Sequence, residues 1–193
     1  MGMRSLKWAA TIVVALLLGY GTAQKRPLWL LTQKTGPSPF SISVVPAWSH
    51  EPDGRGISMA TNTLDRFYVI LTNASGEAQA AFLPFNSWGY YAVSFELQTL
   101  HGEKITISKE PQLFTKNIPS IFVIPPGEHM VYPIRLDDEW SATAAPPMAD
   151  ETSIPITIKA VYKVDPTPES ARQGVWSGRS ESPSYHFYFR HWE

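Results

Sequence analysis

From Phe40 to the end of the chain, apolar residues recur at every second position, the spacing of half-buried β-strands rather than helices. Ile42 and Val44 alternate with serines. Phe67, Val69 and Leu71 share one side of a run that ends at the turn signal Asn73-Ala74-Ser75-Gly76. Tyr91, Val93, Phe95 and Leu97 form the next inward set, followed by Ile105 and Ile107 after the His101-Gly102 turn. Ile121–Ile124 runs into Pro125-Pro126-Gly127. Met130, Tyr132, Ile134 and Leu136 continue the rule, as do Ile156, Ile158, Ala160 and Tyr162, and finally Tyr185, Phe187 and Phe189. The pattern predicts an all-β domain over residues 40–193, a single antiparallel sandwich of about seven to nine strands. Two stretches interrupt it, Asp137–Ser153 and Asp165–Arg179, the second with a short helical turn at Pro168–Arg172.

Ahead of this domain the chain carries an export signature. Arg4 and Lys7 precede an uncharged, mostly apolar run from Trp8 to Gly21, and Gly21-Thr22-Ala23 supplies small residues for cleavage. The run is shorter than the roughly 20 residues of a spanning helix. Residues 1–23 therefore read as a signal peptide, with no membrane span left after cleavage. Residues 24–39 read as a Pro-rich spacer in which Trp29, Leu30 and Leu31 are the apolar exceptions. The expected location is secreted, or periplasmic and envelope-associated.

Charge and cysteine content exclude several functions. Loss of Arg4 and Lys7 leaves 14 basic against 17 acidic residues, a net charge of −3. Nucleic-acid binding needs a concentrated basic surface, and none is present. Charged residues are only 17% of the chain and aromatics 12%, which suits β-structure with irregular loops. The absence of cysteine removes a lipid anchor on sulfur, thiol catalysis and Cys-ligated metals. A domain of this length buries enough surface to stand without disulfides.

Three local patterns occur together: Leu71-Thr72-Asn73 before a polar turn; Ile124-Pro125-Pro126-Gly127-Glu128; and Ala160-Val161-Tyr162 with the later Val175-Trp176-Ser177-Gly178-Arg179-Ser180-Glu181-Ser182. Over most of residues 40–190 this set resembles uncharacterised exported bacterial proteins with an immunoglobulin-like or fibronectin-like sandwich. The resemblance implies that fold and places Tyr162 where such domains carry a tyrosine corner. The cysteine pair of antibody domains is missing, so the likeness is one of architecture and brings no activity with it. Bacterial proteinase-inhibitor domains of sandwich type share the Pro-Gly-Glu turn.

No constellation for catalysis stands out, so the chain reads as a non-enzyme without cofactor or metal. His50, His101, His129, His186 and His191 fit no zinc spacing. Asp137-Asp138-Glu139, which only Asp150 and Glu151 at the far end of the same loop could join, lacks the regular spacing by which a calcium loop supplies six to eight oxygens. Glu96 falls on an outward strand face and Glu128 in a turn, and no strained serine elbow is present. The best binding candidates are aromatic: Trp88 and Tyr90 in Phe85-Asn86-Ser87-Trp88-Gly89-Tyr90-Tyr91, joined by Trp176. Exposed aromatics beside amides suit polysaccharide and protein partners. The expected function is a binding or structural module of the cell envelope or exterior. A carbohydrate-binding module and a proteinase-inhibitor-like domain using the loops 137–153 and 165–179 are the alternatives.

Overall fold

A computed structural model describes residues 33–34, 36–46, 56–59, 66–115, 117–144 and 154–191. The proposed signal peptide, Trp29–Leu31, Trp48, His50, Asp150, Glu151 and Trp192 lie outside these residues. The described chain is all-β, with two short helices. Strands β1 (Phe40–Pro46), β3 (Phe67–Asn73) and β8 (His129–Ile134) form one antiparallel sheet in the order β1–β3–β8. A larger sheet runs β2 (Gly56–Met59), β12 (Tyr185–His191), β10 (Ile154–Val164), β5 (Val93–Thr99), β6 (Lys104–Lys109), β9 (Trp140–Ala142). Strand β11 (Gly178–Glu181) also pairs with β10. A two-stranded ribbon joins β4 (Gln79–Phe82) to β7 (Ile121–Ile124). The helices are α1 (Ser87–Tyr90) and α2 (Pro168–Arg172).

Alternation does what the sequence pattern requires. Phe67, Val69 and Leu71 are buried on β3, Met130, Tyr132 and Ile134 on β8, and Val93, Phe95 and Leu97 on β5. Together with the inward residues of β1, β6 and β10 they make one continuous core. Edge-to-face ring pairs cross from the smaller sheet to the larger one, Phe67 to Phe95 at 5.3 Å and Phe40 to Tyr162 at 5.7 Å. Two sheets thus bury their apolar faces against each other.

Three findings differ from the sequence expectation. The described residues hold twelve strands rather than seven to nine, because β2, β4, β9 and β11 are too short to show a period. One pairing is parallel, β2 with β12, so the sheets are not wholly antiparallel. Tyr91 is not inward but 44% exposed, because α1 ends there and β5 begins two residues later. The end of the proposed spacer is also built into the domain. Lys34 bridges to Trp176, and the Gln33 amide donates to Ser177 Oγ and to the Val175 carbonyl at 3.3 Å.

The three sequence patterns each resolve into a structural joint. Pro125-Pro126-Gly127-Glu128 is a type II turn: Glu128 N–H donates to the Pro125 carbonyl (3.1 Å), and Gly127 takes the required positive φ of 78°. Asn73 clamps that turn from the other side. Its backbone exchanges hydrogen bonds with Glu128 and Gly127, both at 2.9 Å. Its side-chain amide donates to the carbonyls of Ile124 (2.8 Å) and Glu77 (2.7 Å), and its Oδ1 accepts from Ser75 N–H and Oγ–H. The first two patterns are one constellation; Asn73-Ala74-Ser75 also has the Asn-x-Ser form of a glycosylation acceptor, but it is closed to glycosylation in the folded state because Asn73 is fully buried.

The third pattern resolves at a bulge. Between Val161↔Glu181 and Ile158↔Tyr185 the register advances by one residue, so an extra residue sits beside Pro183, which has no N–H. Ser182 closes the gap, donating its N–H to the Ala160 carbonyl (2.9 Å) and accepting the Ala160 N–H on its hydroxyl (3.0 Å). Gly178 is needed because a side chain there would lie 2.5 Å from the Trp176 ring. Tyr162 is fully buried, as a tyrosine corner would be, but its hydroxyl makes no hydrogen bond to backbone. It instead approaches Tyr132, whose hydroxyl is equally without a partner of good geometry. Burial pushes both phenols well above their ordinary value of 10.0.

Two outcomes follow from these joints. Asn73→Ala removes a buried amide with four side-chain hydrogen bonds, so denaturant unfolding is expected to show a loss of about 2–4 kcal/mol. For the tyrosines, a raised folded pKa means that the folded state holds its protons more tightly than the unfolded chain. That stability is complete below about pH 10 and is lost as pH rises toward the folded values. Tyr132→Phe/Tyr162→Phe is expected to leave neutral-pH stability unchanged or higher, since both unpaired hydroxyls go. The pH of alkaline unfolding should move upward, read by circular dichroism.

Candidate ligand-binding cleft

The N-terminal end of α1 is set by its own sequence. Asn86 caps it, its Oδ1 accepting from Trp88 N–H (3.1 Å) and Gly89 N–H (3.0 Å), while its amide donates to the Ser120 carbonyl (3.1 Å). Gly89 allows the helix to sit directly on the β4–α1 connection, where a Cβ would collide with the Leu83 carbonyl. Asn117 ties the far side through Ser87. These contacts hold Tyr90 at one wall of a cleft of about 550 Å³, within the usual size range of small-ligand sites.

The cleft draws residues from six places in the chain. Phe85 and Tyr90 come from around α1, Lys109 from the end of β6, and Phe114 from the connection to β7. Arg66 stands before β3, Arg135 after β8, and Asp137, Glu139 and Trp140 lead into β9. The β6–β9 register sets Lys109 opposite Trp140. Its ammonium group lies 4.5 Å from the Trp140 ring centre and 5.1 Å from that of Tyr90, and it pairs with Glu139. Tyr90 also meets Phe114 edge-on at 5.4 Å. Burial, and then the nearby Glu139, Tyr91, Asp137 and Glu110, raise the Tyr90 phenol above its ordinary value, so it stays a donor. The Trp140 Nε1–H is buried without a partner among the described residues.

The three candidate aromatics separate. Tyr90 lines the cleft. Trp88 does not; it is half-buried, with its ring stacked on Phe82 at 6.1 Å. Trp176 is only 4% exposed and packs edge-on to Phe40 in the core, so it offers no surface for a ligand. Its segment reads as a loose loop because Gly174 and Gly178 bracket it. In the fold Val175 bridges to Ala80, and α2 is locked by a Thr167–Ser170 capping box. The loop 165–179 is thus pinned down for part of its length.

Sequence reasoning placed Phe85 in the aromatic run without choosing it, and missed Phe114, Lys109, Trp140, Arg66 and Arg135. They are scattered over about 75 positions and converge only through strand register. Phe85 lies in a turn and is 68% exposed, which the fold reveals and the sequence does not.

The acidic loop is occupied with other tasks. Glu139 pairs with Lys109, and Asp137 Oδ1 accepts the Glu139 N–H at 3.2 Å. Among the described residues no three His, Asp or Glu side chains converge on a metal position. His101 and His129 are exposed, and His186 lies 3.3 Å from Thr157 Oγ1. Glu96 pairs with Arg179 at 2.7 Å. No helix among the described residues is long and apolar enough to cross a membrane. No protein-family model, no curated protein and no solved structure matches this chain.

Proposed function

We propose that this chain is an exported, non-catalytic binding module on an immunoglobulin-like sandwich, and that the cleft at Tyr90 is its carbohydrate site. The observation that carries this reading is the group of Tyr90, Phe85, Phe114 and Trp140 around one concave surface, with Lys109 and Glu139 fixed among them. Aromatic faces stack on sugar rings, and flanking charged and amide groups hydrogen-bond hydroxyls. Export rests on the signal-like residues 1–23, which point to the envelope or exterior.

The test is retention on immobilised polysaccharides. Tyr90→Ala and Phe85→Ala are each expected to weaken binding about tenfold, the cost of losing an aromatic anchor. Trp88→Phe keeps the Phe82 stack and should bind as the parent does. Unchanged retention by Tyr90→Ala and Phe85→Ala, with native circular dichroism, would sink the reading.

A protein partner is favoured by a different observation. Phe122 and Val123 of β7 are 44% and 53% exposed on opposite faces of an uncharged strand, which pairs with β4 alone among the described residues. Such an edge accepts an added strand. Val123→Lys is expected to abolish capture of a partner from envelope extracts without changing polysaccharide retention; equal capture by the variant counts against it.

A further inference from the structure

We infer that the cleft takes an acidic saccharide, with the sugar carboxylate held between Arg66 and Arg135. The inference rests on the cleft being the saccharide site and adds the chemical class of the sugar.

The β3–β8 register ends at Phe67↔Ile134, so Arg66 and Arg135 are the residues that flank this end of the ladder, one just before β3 and one just after β8. Both line the cleft. Like charges in directly opposed positions on paired strands are destabilising. The surroundings do little to compensate them. Arg135 has Asp137 Oδ2 only at 3.9 Å, and the other oxygen of that carboxylate is engaged by Glu139 N–H. Arg66 has no carboxylate partner among the described residues. Glu139, also in the lining, is taken by Lys109.

Arg66 and Arg135 therefore both line a concave, aromatic-walled space, with no carboxylate closer than 3.9 Å to either among the described residues. Planar guanidinium forks match a carboxylate in two-point geometry. A neutral sugar would leave the arginine pair uncompensated, and a bare inorganic anion would make no use of the rings of Tyr90, Phe114 and Phe85. A pyranose ring bearing a carboxylate uses both.

The experiment is calorimetric titration of the full chain with hexamers of galacturonate and of mannuronate, their methyl-esterified counterparts, and sodium sulfate. At least one acidic hexamer is expected to bind about tenfold or more tightly than its ester. Arg66→Gln and Arg135→Gln should each remove about tenfold of that affinity, the loss expected for a charge-assisted hydrogen bond. Neither variant should lower the thermal midpoint, since each relieves like-charge repulsion; this separates a lost contact from a damaged fold.

Equal binding of acid and ester, both lost in Tyr90→Ala, would overturn the acidic specificity and leave the cleft as a neutral-sugar site. No binding of any hexamer would overturn both readings. An acid preference that survives in both arginine variants, or sulfate binding as tightly as the hexamers, would overturn the assignment of the carboxylate to this pair.

Discussion

The buried side chain of Asn73 fixes the relation between the parts of this molecule. It stands where β1 begins, β3 ends, β7 ends and β8 begins, and its amide and carbonyl oxygen are both fully used. A lone buried amide would be costly in an apolar core, but one with every hydrogen bond made is specific, because no other side chain fits the same set of partners. Clamping the β7–β8 turn to the end of β3 starts the β3–β8 ladder at Thr72↔His129. A one-residue slip there would turn Met130, Tyr132 and Ile134 out of the core. The same register, followed to the other end of the strands, is what brings Arg66 and Arg135 together.

The core tolerates polar atoms that it does not satisfy. Tyr132, Tyr162, Trp140 and Trp176 each bury a hydroxyl or an indole N–H without a partner. Their rings supply large apolar area, which offsets part of that cost. Tyr132 and Trp140 both also border the cleft, so the wall of the site and the core are the same side chains. Reshaping the site by substitution at either residue would disturb packing as well as binding, whereas Phe85, Tyr90, Arg66 and Arg135 stand further out.

The strands were legible because each of β1, β3, β5, β6, β8 and β10 buries one face and so must alternate. The joints were legible as motifs but not as contacts: Asn73 and Pro126-Gly127 stood out in the sequence, while the bonds between them depend on a fold that brings positions 51 residues apart together. Trp176 misled because a buried tryptophan between glycines looks like one in an exposed loop. Tyr91 misled because α1 is too short to interrupt the period visibly, although it rotates the chain enough to expose that ring. The cleft itself had only Tyr90 as a sequence signal, since its other residues meet through the pairing of β3 with β8 and of β6 with β9.

At the cleft, local rules that hold elsewhere in the chain give way. An exposed phenylalanine sits in a turn, two arginines flank the last pair of one ladder, and an indole N–H lacks a partner among the described residues. Each departs from what would stabilise the domain alone, and such departures concentrate where a surface answers to a partner rather than to the fold. The lining also comes from segments joined by a few local contacts, such as Glu110 N–H donating to the Glu139 carbonyl, Gln112 N–H donating to Tyr91 Oη and the Lys109–Glu139 ion pair. A ligand that bridges the Tyr90 wall and the Arg66–Arg135 wall would couple these segments. Its binding energy would then appear as stability of the whole domain, because a ligand held only by the folded state shifts the folding equilibrium toward that state.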